Sequence, residues 1–351
     1  MLGEDGAPFT IPFRNVAFFV TEKCWVNNHA HVLSAVDIDP IFLTHSLNCV
    51  NYEPIVEGAT REKLTQGNMN KIDLPIPSKL EQEIISKFLE EKTKMIDNKI
   101  HYSENLFLLL KEKRQSIINQ AVTKGLDPSV PMKDSGIEWI GKIPEHWEIQ
   151  KISKSVNKIT NGYVGPTRDI LVDKGVRYLQ STYVKQGKIS FDGKYFVTHQ
   201  WNLKHKKSIL QEGDVLLVQT GANVGQCATV TKDYEGCNCH AMIIIQLKKE
   251  LGTGLFLSYL LRSNFGKNML KSMETGALHP HLEIGIIKNI SLVLPTIDEQ
   301  QKIVKFLDYE IEKIDGMILK IGSQIKKLKE FRQSLISSVV TGKVDVTSLA
   351  Q

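Results

Sequence analysis

Along Asp298–Thr341, apolar residues fall at Ile303, Leu307, Ile311, Ile314, Ile318, Ile321, Ile325, Leu328, Leu335 and Val339. From Ile311 onward the steps alternate between three and four residues, with Arg332 filling one slot. An average step of about 3.5 is the period of a coiled-coil seam rather than of a lone surface helix. Gly316 and Gly322 read as lying off the seam, Asp298 as the N-cap and Glu299 as a first-turn carboxylate. Such a helix is roughly 65 Å long at ~1.5 Å per residue. A seam of that length requires a partner.

The partner is encoded in the same chain. Shifted by 218 positions, Glu81–Thr123 lies over the C-terminal stretch without a gap, and Glu81, Gln82, Ile85, Phe88, Leu89, Ile96, Asp97, Ile100, Arg114, Gln115, Ile118 and Val122 recur identically. Upstream, Gly58-Ala59 matches Gly276-Ala277, Leu64 matches Leu282 and Pro77 matches Pro295; with a small gap, Asn27–Ala30 lies over Asn238–Ala241. A whole unit is therefore duplicated, a globular part followed by a long helix. The domain between the helices is too small to bridge their length, so they are expected to pair antiparallel, with the globular parts at opposite ends of a rod and related by a pseudo-twofold axis. Ile96, Ile100, Phe107 and Leu110 should pack against Ile314, Ile318, Ile325 and Leu328. Leu106, Leu108, Leu109, Ile117 and Ile336 read as apolar surface left for a partner protein.

The fold class implied is α+β. Six segments are expected: residues 1–77 as the C-terminal part of a first globular domain, 78–123 as the first long helix, 124–136 as a linker with Gly125, Pro128, Pro131 and Gly136, 137–296 as a complete second domain, 297–342 as the second helix and 343–351 as a tail. In the first part, Val16–Thr21 and His31–Val36 are apolar enough for strands, and Asp39–Leu47 reads as a helix start. Gly3–Gly6 corresponds by pattern to the region from Glu212 to Ala222, which has about 75 residues of second domain before it. By that reading the first globular part is the back half of a domain, with an open sheet edge and part of its core exposed.

Charge is distributed unevenly. The net charge is +5. Residues 137–296 hold 20 Lys and Arg against 13 Asp and Glu, whereas residues 1–76 hold 5 against 9. An excess of seven positive charges on the complete domain suits a polyanion, and equally a basic solvated surface. Five cysteines, no signal peptide and no apolar run of membrane length point to the cytoplasm, with no membrane partner. Cys237-Asn238-Cys239-His240 suggests a metal site, but the aligned Val26-Asn27-Asn28-His29 keeps only the histidine, so no metal is expected. His29 and His240 read instead as hydrogen-bonded structural residues at a strand start.

Several loops of the second domain suit DNA. Asn161–Arg168 is punctuated by glycine and carries Tyr163, Thr167 and Arg168; Arg177–Lys185 supplies Arg177, Gln180, Ser181, Tyr183 and Lys185. Lys204, Lys206 and Lys207 form a basic knot suited to phosphates, Thr220 and Asn223 follow the apolar strand Val215–Val218, and His279 and His281 sit in the turn Gly276–His281. Each loop also reads as an ordinary solvated turn. Phosphate-binding and dinucleotide-binding glycine loops, an Asn-Pro-Pro-aromatic motif and a Pro-Asp nuclease core are all missing from the sequence. Glu90-Glu91-Lys92 resembles a nuclease fragment but lies on a coiled-coil helix. No catalytic residue and no cofactor is assigned to this chain.

The run Ser135–Glu148 (SGIEWIGKIPEHWE), the LP…EQ start of each long helix, and the endings KEKRQSIINQAVTKG and KEFRQSLISSVVTGK resemble the specificity subunits of type I restriction–modification enzymes. The resemblance covers the whole chain. It implies mixed α/β target-recognition domains alternating with two long helices that pair as an antiparallel coiled coil. It implies a DNA-recognition subunit without catalysis of its own. Each domain would read one half of a split double-stranded DNA site, while the helices set the spacing and dock modification (methyltransferase) subunits and a restriction (motor and nuclease) subunit. S-adenosylmethionine, ATP and Mg would belong to those partners. Family members open with their own W-I-G-x-I-P-x-x-W segment, and here one copy occurs, Trp139–Trp147. The chain is therefore expected to specify only the half-site of its second domain, two copies joining to read a symmetric site. A half-subunit acting as a dimer and a coiled-coil scaffold that binds no DNA stand as the alternatives.

Overall fold

The computed structural model describes residues 1–58, 60–137, 139–276 and 280–349, and the backbone but not the side chain of Leu349. Ala59, Glu138, Ala277, Leu278, His279, Ala350 and Gln351, which enter the repeat, the motif, the turn and the tail above, lie outside the described residues. The chain forms two compact units, residues 1–109 with 317–351, and residues 110–316.

The periodic stretches are helical over Lys79–Lys124 and Ile297–Val340. Thr296, not Asp298, stands at the start of the second: its Oγ1 accepts from Glu299 N at 3.4 Å. Asp298 and Glu299 both lie in the first turn, where carboxylates favour the helix dipole. The helices pair antiparallel. In the first unit Arg332 Nε donates to Asp97 Oδ1 at 2.8 Å and Lys329 Nζ to Glu104 Oε1 at 2.8 Å. In the second unit Arg114 Nε donates to Asp315 Oδ1 at 2.7 Å. Shifting Asp97–Arg332 by the repeat interval gives Asp315–Arg114, so the duplication makes the seam complementary to itself. Ile96, Ile100 and Ile314 are buried; Phe107, Leu110, Ile318, Ile325 and Leu328 are half-buried. Gly322 faces Phe107 rather than lying off the seam, since a Cβ there would stand 3.8 Å from the Phe107 ring.

In the second unit a four-stranded antiparallel sheet runs Cys227–Thr229, Val215–Val218, Met242–Leu247, Val156–Asn161 in spatial order. Both faces are covered, which is why its central strands read as unbroken apolar runs. Side chains alternate between two cores. Val215, Leu217, Ile243 and Ile245 point into one, with helices Gly254–Arg262 and Asn264–Ser272 and the ends of both long helices. Leu216, Val218, Met242 and Ile244 point into the other, with Leu179, Val184 and Leu210. A second sheet orders Asn238–Cys239, Val176–Leu179, Phe196–Val197 and Leu171–Val172, its first pair parallel.

The first unit has a core of Leu2, Phe9, Val16, Ala17, Leu47, Tyr52 and Leu64. Its helix Pro40–Leu47 forms as expected, with Asp39 Oδ1 capping Ile41 N and Phe42 N. The expected strands are not the ones formed: Leu2–Gly3 pairs with Ala30–His31, while Val16–Thr21 and Val32–Val36 run irregularly. Phe18, Phe19, Val20, Val32 and Val36 are exposed. Local apolarity favours a strand only where another backbone edge satisfies its amides.

The duplication extends to the polar contacts. Gln82 is buried and bridges Asp39 N and the Pro77 carbonyl; Gln300 bridges Thr253 N and the Pro295 carbonyl in the same way. Asp127 turns onto Ser129 as Asp345 turns onto Thr347. Ile336 is buried with Phe42, Ile85 and Val339, so it is core and not partner surface. Ile117 is half-buried against the second unit's core.

Candidate nucleic-acid interface

The central sheet of the second unit gathers several loops at one end. Register pairs Leu217 with Cys227, Val218 with Met242 and Ile243 with Asn161. The turn after Val218, the loop after Asn161 and the bend before Met242 therefore leave the sheet together. Gly162 packs on the Cys239 backbone so closely that a Cβ would stand 2.5 Å from its carbonyl oxygen. Tyr163 N then donates to Cys239 O at 2.9 Å, starting the loop that carries Thr167 and Arg168. Leu179 accepts from His240 N at 2.8 Å, which brings the following Gln180 and Ser181 to the same end. Thr220 bridges to His281, and Leu282 N donates to Gln219 O at 2.8 Å, tying the 274–282 loop to the Thr220–Asn223 turn. Thr167, Gln180, Ser181, Asn223 and His281 are half-buried here; Arg168 and Thr220 are exposed. His279 cannot be placed with them, lying outside the described residues.

The lysine knot reaches this end through an aromatic stack. Trp201 and His205, one helical turn apart, stack at 3.9 Å between ring centres, and the Tyr163 ring meets each edge-on at 5.0 Å. Tyr178 Oη lies 3.2 Å from His240 Nδ1, and burial holds the His240 pKa below the usual imidazole value. His240 is thus a hydrogen-bonded residue just after a strand, as its sequence position implied. Lys204, Lys206 and Lys207 are exposed, and none forms an ion pair among the described residues. The sequence reading overlooked Trp201 and His205; their spacing of four on one short helix was the available signal.

Other candidates stand apart. Tyr183 is buried and gives its hydroxyl to Asp192 at 2.6 Å. Arg177 donates to Asp233 O at 3.2 Å and lies over the Phe191 and Tyr234 rings. Lys185 is exposed on the hairpin Val184–Ile189. Cys237 and Cys239 are buried, and burial pushes the Cys239 thiol up to about 12. Among the described residues no three His, Cys, Asp or Glu side chains converge as metal ligands.

The first unit repeats the loop pair. Leu64 N donates to Glu4 O as Leu282 N does to Gln219 O, and Asp5 bridges to Lys63 as Thr220 does to His281. Asp5 there accepts from Arg61 Nη2 at 2.7 Å.

Fold and site together define a duplicated α+β protein whose long helices pair antiparallel and whose complete domain carries polar and basic loops at one sheet end. A family model described as the type I restriction modification DNA specificity domain matches residues 15–106 and 144–327. The chain belongs to this family. It is 25% identical over 286 residues to the MjaVIII specificity subunit of Methanocaldococcus jannaschii, covering 79% of this chain and 63% of that protein. It is 22% identical over 292 residues to the EcoBI specificity subunit of Escherichia coli, covering 81% and 61% respectively. The chain thus spans less than two thirds of the length of these relatives. A solved chain from work on complex assembly and conformational transition of the type I R-M system superimposes with a TM-score of 0.66 at 14% identity, over 87% of this chain and 71% of that one. Among the described residues no helix is long and apolar enough to cross a membrane.

Proposed function

We propose that this chain is the DNA sequence-specificity subunit of a type I restriction–modification complex, without catalysis of its own. It binds a split double-stranded DNA target and docks methyltransferase and restriction subunits. The observation that carries this reading is the family match across both globular parts and much of both long helices. The loop end of the central sheet supports it physically: Arg168, Gln180, Thr220, Asn223 and His281 are presented as base-edge or phosphate partners, with the exposed lysines 204, 206 and 207 beside them. Tyr163, Trp201 and His205 hold that end in shape, while Tyr183 supports from within. Docking is supported by apolar side chains exposed on the paired helices, Leu108, Leu109, Leu319 and Phe331 among them. The test is a gel shift of purified chain plus modification subunit at two salt concentrations. Affinity that falls steeply with salt supports DNA contact through phosphates. A complex that forms with the modification subunit but binds no duplex at either salt favours a protein-only scaffold.

A further inference from the structure

The duplication provides the same junction twice, and the two copies differ in what covers them. In the second unit, the end of the first long helix and the start of the second close over the segment Ile140–Lys151. Trp147 is fully buried there, and its Nε1 donates to Glu299 Oε1 at 3.0 Å. His146 Nε2 lies 2.9 Å from Glu299 Oε2. Glu148–Lys151 then pairs antiparallel with Ser291–Leu294. Ile118, Val122, Ile303 and Leu307 belong to the same core as Trp147.

Each of those socket residues has a counterpart in the first unit 218 positions away, and the residue type is unchanged: Ile336, Val340, Ile85, Leu89 and, for Glu299, Glu81. There the junction is an open cleft of about 360 Å³, with Ile76, Pro77, Glu81, Ile85, Val339 and Val340 in its wall. Exposure marks what is uncovered. Leu294 is 6% exposed beneath its partner strand, whereas its counterpart Ile76 is 54% exposed. Glu299 is half-buried and committed to the tryptophan; Glu81 is exposed and folds back on Ser78, accepting from its N at 2.9 Å and its Oγ at 2.6 Å. The tail does not account for the difference, because its Asp345–Thr347 turn has a counterpart in Asp127–Ser129.

We infer that this cleft is a second socket for an Ile-Pro-x-x-Trp-Glu segment, the chemistry of Ile143–Glu148, presented by another polypeptide. The indole would lie against Ile85 and Val340 with its N–H on the Glu81 carboxylate, a charge-assisted bond. The residues after it would run along Asp73–Ile76 as Glu148–Lys151 runs along Ser291–Leu294. Pro75 stands where Val293 does and offers no N–H, so the indole socket rather than the strand edge provides most of the recognition. This chain's own segment is seated in the second unit, which is why the occupant is assigned to a separate polypeptide.

The probe is a synthetic peptide of residues 137–151, carrying a fluorophore and a photo-crosslinker, titrated into the full-length chain. Saturable one-to-one binding is expected, with crosslinks to residues 75–85 and 339–344. Binding should weaken at least tenfold for the Ile76→Asp chain, whose site is already solvent-facing and so leaves folding intact, and for the Glu81→Ala chain. A Trp147→Ala peptide should not bind. The proposal is overturned by no binding, by equal binding of the Trp147→Ala peptide, or by crosslinks confined to residues 118–125 and 294–303, which would mean displacement of the chain's own segment. It is also overturned if the chain alone dimerises and Ile76→Asp returns it to monomer, since the occupant is then a second copy.

Discussion

Ile96 and Ile100 test the helix pairing against its simplest rival, two helices held only by their own propensity. They are 7% and 8% exposed, whereas Leu108 and Leu109 on the same helix are 56% and 60% exposed. Truncating a buried isoleucine to alanine removes apolar contact and leaves a cavity, costing about 2–5 kcal/mol. The two sites are neighbours on one face, so their effects will not add fully; a double Ile96→Ala, Ile100→Ala variant should lose about 4 kcal/mol or more. That corresponds to roughly 10 °C or more in Tm for a unit of this size. Leu108→Ala with Leu109→Ala removes side chains that touch mainly solvent, and should stay within about 0.5 kcal/mol per site. Helix propensity differs little between Leu and Ala, so it cannot imitate the contrast. Urea unfolding followed by circular dichroism on the isolated chain reads both variants. Equal losses from the two pairs, or no loss from the isoleucines, would refute the seam. Asp at Ile318 and Ile325 is expected to destabilise as well, by less per site than a fully buried position would give, because both are half-buried.

Trp147→Ala should cost about 3–5 kcal/mol, since a fully buried indole is lost and Glu299 is left without its donor; thermal unfolding checks it, and Trp147→Phe should recover most of the packing but not the hydrogen bond. Burial lowers the His240 pKa, so the unfolded chain binds that proton first as pH falls. Stability from His240 is therefore present above the unfolded value near 6.5 and is lost as pH drops below it; denaturant titrations from pH 8 to 5 should show a smaller decline for His240→Gln than for the parent. With a thiol reagent at pH 7.5, exposed Cys24 should react promptly while Cys227 and Cys239 stay protected, their thiols pushed up to about 11 and 12 by burial; mass spectrometry of the modified peptides reads the order.

The long helices were legible because a period held over forty residues is hard to produce any other way, and the duplication gave each one a partner. Their register was not legible: that Gly322 meets Phe107 depends on how far one helix slides along the other, which neither seam states alone. Val215–Val218 was readable as a buried strand from four consecutive apolar residues. Val16–Thr21 looked similar and failed, because strand formation depends on a partner edge lying elsewhere in the chain. Ile336 was misread as surface for the same reason, its burial coming from Phe42 and Ile85, distant in sequence. In the candidate interface the loops could be recognised as loops from their glycines and polar residues. Which of them share one end of the sheet follows from strand order. Tyr183 and Arg177 show the limit of composition, since one is buried against Asp192 and the other is spent on Asp233 and two rings.

The central claim is that this chain selects the DNA sequence on which a methyltransferase acts. Methylome sequencing tests it most directly, in cells expressing the cognate modification subunit with the parent chain, with no chain, or with Lys204, Lys206 and Lys207 all changed to alanine. The account predicts adenine methylation at one defined split motif with the parent chain, none without it, and reduced occupancy of the same motif with the lysine variant, because those residues supply phosphate affinity rather than base choice. Methylation at the same motif in cells without the chain would contradict it.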